Sequence, residues 1–143
     1  MARSLTPVWI AGLAVLALAV ILTCAGTALP WLTEVESLPI PAGSHRSEPV
    51  YTQLGLQAGN GWVVLVAGIL LAACLALLAA LRRPGLLWIV IVPVALGGLA
   101  IGDWLAALGG TEGFPLGLGV SLLGLLLVTP AGALLRAGRP AAR

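Results

Sequence analysis

Four runs of about twenty apolar residues, at 8–29, 62–81, 86–105 and 115–135, alternate with polar segments along the chain. At about 1.5 Å rise per residue each run spans about 30 Å as a helix, the thickness of a bilayer's hydrocarbon core. The pattern predicts an all-α membrane protein: a bundle of four transmembrane helices forming a single domain over 1–143. Pro7 and Trp9 open the first run and Pro30 and Trp31 close it; proline stops a helix and tryptophan anchors it at headgroup depth. Arg3 and the apolar stretch that follows also resemble a signal peptide, with Cys24 near a lipoprotein-like cleavage site. However, Thr23 suits that site poorly and the run continues to Leu29, so the reading here is a span.

The segment 30–61 is the longest polar one. Its two ends, 31–40 and 50–56, carry Val, Ile, Thr, Tyr and Leu with partial alternation around the turn-rich Pro41-Ala42-Gly43-Ser44, which predicts a short β-hairpin. Within the second run Gly68, Ala72, Ala76 and Ala80 recur every four residues. The third run carries Gly98, Gly102 and Ala106 at the same spacing. Small residues so placed let helix backbones approach closely, and both stripes are expected to face neighbouring helices. Pro93, just before Gly97-Gly98, predicts a bend in the third span; Pro130 predicts a loosened end to the fourth.

Charge adds sidedness. All seven basic residues are arginine, and six of them, Arg3, Arg82, Arg83, Arg136, Arg139 and Arg143, fall at one set of span ends. The acids Glu34, Glu36, Glu48, Asp103 and Glu112 fall at the other. Arginine-rich short loops mark the cytoplasmic face, so both termini are expected inside the plasma membrane and 30–61 outside. Composition agrees: 60% of residues are hydrophobic and 8% charged, where a soluble chain has about 25% charged. A net charge of +2, divided between two faces, argues against a nucleic-acid partner. Cys24 and Cys74 lie at depths that differ by on the order of 10 Å, too far for a disulfide, and are expected to be free thiols.

Metal binding requires several converging ligands, and the chain has one histidine, His45, and two separated cysteines. Ser121 in the fourth span has no evident base, and phosphate-binding or dinucleotide-binding fingerprints do not occur. The expectation is therefore of no enzyme activity, no metal and no cofactor. Asp103, beside Trp104 and close to the end of its span, is expected at the outer interface with its carboxylate hydrated.

Ala28-Leu29-Pro30-Trp31, the stretch from Leu54 through Gly55 to Gly59-Asn60-Gly61, and Phe114-Pro115-Leu116-Gly117-Leu118-Gly119 make the chain resemble small four-span membrane proteins common in actinobacteria. These share Leu-Pro-Trp after the first helix and Gly-x-Gly before the second and fourth. The resemblance covers nearly the whole chain and implies a multi-pass plasma-membrane protein without catalytic residues. The long first and short second outer loops also look like the claudin-type plan, but the paired loop cysteines of that family are missing and its junction-forming role does not carry over.

The expected function is that of a scaffold or accessory protein whose outer loop contacts another envelope protein, with Trp31, Glu34, Glu36, His45, Arg46, Glu48 and Tyr51 as candidate contacts. The alternative is a small transporter or channel subunit, assembled as a homo-oligomer through the small-residue stripes. Polar groups lining a path would distinguish the second from the first.

Overall fold

The computed structural model describes residues 6–37, 47–57, 60–107 and 115–138. The turn at 41–44, His45, Arg46, Glu112, Arg3, Arg139 and Arg143 lie outside the described residues. The element order is α1 (Pro7–Ala28), β1 (Pro30–Ser37), β2 (Ser47–Leu54), α2 (Gly61–Leu81), a 3-10 segment (Pro84–Val90), α3 (Ile91–Ala107) and α4 (Leu116–Ala137). Among the described residues four helices, the third including part of the 3-10 segment, are long and apolar enough to cross a membrane. Their outward surface is apolar as well: Ile10, Ile21, Ile69, Leu99 and Leu126 are each more than half exposed. A water-soluble bundle would place charge there, whereas lipid solvates such residues without cost.

α1 starts at a threonine cap. The Thr6 hydroxyl accepts from the Trp9 amide at 3.2 Å, and Pro7 fills the first helical position, where its missing N–H is no loss. The same hydroxyl donates to the Gly138 carbonyl at 2.9 Å, which brings the start of α1 to the end of α4. The chain then zigzags, so the ends of α2 and α4 and the start of α1 share one end of the bundle, here called the arginine end. The opposite end carries β1 and β2.

These strands pair antiparallel, with Pro30 opposite Leu54, Glu34 opposite Tyr51 and Glu36 opposite Glu48. The register slips between Glu34 and Val35, and Val35 falls opposite Pro49. Proline has no N–H to give to the ladder, and a bulge is the usual accommodation.

α2 ends at Arg82, which adopts the left-handed conformation (φ 49°, ψ 33°) and returns its N–H to the Leu78 carbonyl at 3.0 Å. The 3-10 segment follows and converts to α-helix at Ile91, two residues before Pro93. Pro93 cannot donate to the carbonyl four residues back, that of Ile89. The Cys74 thiol of α2 takes that carbonyl instead, at 3.8 Å. Pro130 is tolerated within α4, which continues to Ala137.

α1 packs along α4 on one side and α2 on the other, α2 packs on α3, and α3 meets α4 only sparsely. The core holds Trp9, Leu16, Val64, Leu71, Leu78, Ile101, Leu118 and Leu135.

Candidate functional site: the Trp31 lock and the hairpin it holds

The α1–α4 seam is built from small residues repeating every seven. On α1 these are Gly12, Ala19 and Gly26; on α4 they are Gly117, Gly124, Ala131 and Gly138. All seven are buried. A Cβ on Gly26 would lie 2.6 Å from both the Gly117 carbonyl oxygen and the Ser121 amide nitrogen. One on Gly124 would lie 2.6 Å from the Thr23 amide nitrogen and 2.8 Å from the Ala19 carbonyl oxygen. Backbone thus lies on backbone, the way helices associate when lipid supplies no hydrophobic driving force. The buried hydroxyls have partners: Ser121 donates across the seam to the Thr23 carbonyl at 3.2 Å, Thr23 to the Ala19 carbonyl at 2.8 Å, and Thr27 to the Cys24 carbonyl at 2.7 Å.

At the end that carries β1 and β2 the seam becomes a lock. Trp31, fully buried, donates its indole N–H to the Gly26 carbonyl at 2.8 Å. Trp104 of α3 meets it edge to face, with ring centroids 5.9 Å apart and planes at 89°. Gly117 and Gly55 close the remaining sides: a Cβ on Gly117 would come 2.6 Å from Trp31 Cδ1, and one on Gly55 would come 2.7 Å from Cε2. Gly61 in turn leaves no room for a side chain against the Gly55 carbonyl. The backbone completes the attachment, with the Gly55 amide donating to the Leu29 carbonyl at 3.1 Å and the Leu56 amide to the Thr27 carbonyl at 3.0 Å. Leu-Pro-Trp and residues from both glycine-rich stretches, distant in sequence, therefore meet around one indole. The start of β1 and the residues after β2 are both tied to the top of α1 within a few residues of it.

Asp103 is exposed, near the end of α3, and accepts from the Asn60 amide side chain at 2.7 Å. Asn60 precedes the first residue of α2, so this bond ties the start of α2 to α3. Glu34, Glu36, Glu48 and Tyr51 occupy the strand positions given above, while His45 and Arg46 lie outside the described residues. Among the described residues no three His, Cys, Asp or Glu converge as metal ligands, and Cys24 and Cys74 are free.

The packing stripes require correction. Gly68 does pack on α1, where a Cβ would lie 2.5 Å from Cys24 Sγ; Ala72 is half-buried, but Ala76 and Ala80 are exposed. On α3, Gly98 and Gly102 have nothing within 4 Å of a would-be Cβ, and Ala106 is exposed, so this stripe faces no helix of the chain. Gly97 makes the close contact instead: a Cβ there would lie 3.0 Å from Leu125 and 3.2 Å from Ala67. A spacing of four drifts about 40° per step around a helix of 3.6 residues per turn, so a long stripe leaves any one contact line. The α1–α4 seam was missed because its repeat is seven, and that repeat was visible in the sequence.

No family model, curated protein or solved structure matches this chain.

Proposed function

We propose that this protein is a non-enzymatic multi-pass plasma-membrane protein, with both termini cytoplasmic, that presents its outer hairpin to another envelope component. The observation that carries the reading is the lock around Trp31. A connection of this kind could hang loosely from the bundle. Here residues from α1, α3, α4 and the stretch after β2 are spent on fixing the base of the hairpin. A rigidly mounted segment loses less entropy on meeting a partner than a free loop does. The hairpin also carries three of the chain's five acids, Glu34, Glu36 and Glu48, with Glu36 and Glu48 in register. Three acids on one strand pair suit a basic partner by charge complementarity. The arginines at the far end support the orientation.

Two measurements test this. Cysteines introduced at Ser44 and Ala141 are expected to label from outside and only after permeabilisation, respectively; labelling of Ala141 in intact cells overturns the topology. Purification in mild detergent is expected to retain a partner that the Glu34→Gln, Glu36→Gln, Glu48→Gln triple variant loses at unchanged thermal stability. An identical set of co-purifying proteins for both overturns the presentation role.

A further inference from the structure

The sparse contact between α3 and α4 leaves a cleft of about 490 Å³ toward the arginine end, within the range of sites that hold small molecules. Its walls include Leu87, Val90 and Val94 on one side and Val128 and Leu135 on the other, and Arg136 is part of its lining. Its floor includes Gly132, where a Cβ would meet nothing within 4 Å. A glycine inside a helix costs about 1 kcal/mol against alanine, and no neighbouring helix uses the space this one creates. The cleft is thus lined mainly by apolar residues, with Thr129 and the permanent cation of Arg136 as its polar members. The acids among the described residues, Glu34, Glu36 and Glu48 on the strands and Asp103 near the end of α3, lie at the opposite end. Among the described residues, no carboxylate side chain lines the cleft beside Arg136.

We infer that the α3–α4 cleft holds one anionic glycerophospholipid, its phosphate on the Arg136 guanidinium and an acyl chain lying over Gly132 between the two helices. Charge complementarity selects the headgroup, because a guanidinium meets a phosphate with paired N–H donors at the depth where headgroups lie. The shape selects the tail, since the cleft lies along the helices and is walled by aliphatic side chains. This site is at the end of the bundle away from the hairpin, so it stands whether or not the hairpin has a partner.

The test is native mass spectrometry of the whole protein in mild detergent, with phosphatidylglycerol or phosphatidylcholine added at equal concentration. Wild type is expected to retain one phosphatidylglycerol at least five-fold over phosphatidylcholine. Arg136→Gln is expected to bring the two lipids to parity, and Arg136→Lys to keep most of the preference. Gly132→Leu places a side chain in the cleft from a position where a Cβ has nothing within 4 Å, and is expected to lower retention of both lipids. Arg83→Gln removes the same charge from the same end outside the cleft lining and is expected to leave the preference intact. Parity in wild type, an equal fall in Arg83→Gln and Arg136→Gln, or full retention in Gly132→Leu would each overturn the assignment. So would displacement of the lipid by millimolar glycerol phosphate, which carries the headgroup chemistry without the tail.

Discussion

The two faces of α4 solve opposite problems with the same residue. Toward α1, Gly117 and Gly124 are filled to backbone contact, and one added methyl would strike a carbonyl or an amide. Toward α3, Gly132 on the same helix opens onto empty space. Glycine therefore has no single meaning in a membrane helix. What separates the two cases is whether a partner helix carries small residues in phase. α1 does, with Gly12, Ala19 and Gly26 seven apart, and a seven-residue repeat drifts only about 20° per heptad, so the two stripes stay in contact over their whole length. The 3-10 segment and α3 offer Leu87, Val90 and Val94 instead, and bulky aliphatic residues hold the backbones apart.

The largest test of this contrast enlarges the seam. Gly26→Leu and Gly124→Leu should abolish folding, because the atoms met are backbone on the opposite helix and cannot rotate away. Gly98→Leu and Gly102→Leu should fold with a melting temperature in detergent within a few degrees of wild type. Loss of folded protein in the second pair would mean that α3 has a close neighbour outside this chain, a second copy being the first to test by crosslinking.

The next contrast is between the two buried tryptophans. Trp31 bonds the Gly26 carbonyl, whereas the Trp9 indole N–H, equally buried, has no partner among the described residues. Trp31→Ala should cost on the order of 3 kcal/mol, since it empties a site walled by backbone that cannot collapse. Trp31→Phe should cost about 1 kcal/mol more than Trp9→Phe, as only the first removes a buried hydrogen bond and leaves the Gly26 carbonyl with the Leu29 amide alone, at 3.3 Å. Equal losses for the two Phe variants, measured by thermal unfolding followed by fluorescence, would remove the hydrogen bond from the account of the lock.

Across the seam, Ser121→Ala removes one donor while keeping the volume nearly constant. Interhelical bonds of this kind are worth about 0.6 kcal/mol on average, so a fall of a degree or two is expected. A Ser121→Ala variant as unstable as Gly124→Leu would show that hydroxyl bonding, and not close approach, holds α1 to α4.

The spans were legible because lipid permits few alternatives: a backbone that finds no water must satisfy itself within a helix, and apolar length alone then locates the elements. Pro93 marked a missing donor in the sequence, although the Cys74 thiol that takes up the freed Ile89 carbonyl comes from another helix and left no local signal. Which faces touch was not read correctly. A count by fours selected Gly98, Gly102, Ala76 and Ala80, which point away from the bundle, while the sevenfold repeats on α1 and α4 passed unused. Convergence of Leu-Pro-Trp with Gly55 and Gly117 was beyond sequence reasoning of this kind. Short motifs state that a turn is tight without stating what fills it.

The smallest expected effect lies at Asp103, which separates a packed scaffold from a proton-linked transporter. Its carboxylate is exposed and accepts from Asn60. Asparagine keeps an acceptor oxygen at that place, and an exposed bond between neutral groups differs from a charge-assisted one by a few tenths of a kcal/mol once water competes. Asp103→Asn should therefore melt within about a degree of wild type. Asp103→Ala, which removes the acceptor, should release the start of α2 and raise amide exchange at Asn60 and Gly61 without unfolding the bundle. A transporter makes the opposite demand, because a carrier carboxylate must alternate between protonated and charged states along a path that reaches both sides. The buried polar side chains of the described spans, Thr23, Thr27 and Ser121, are already committed to backbone carbonyls. Proton uptake into proteoliposomes is expected at the rate of empty vesicles for wild type and Asp103→Asn alike. Flux in wild type that Asp103→Asn removes would replace the scaffold reading with a transport one.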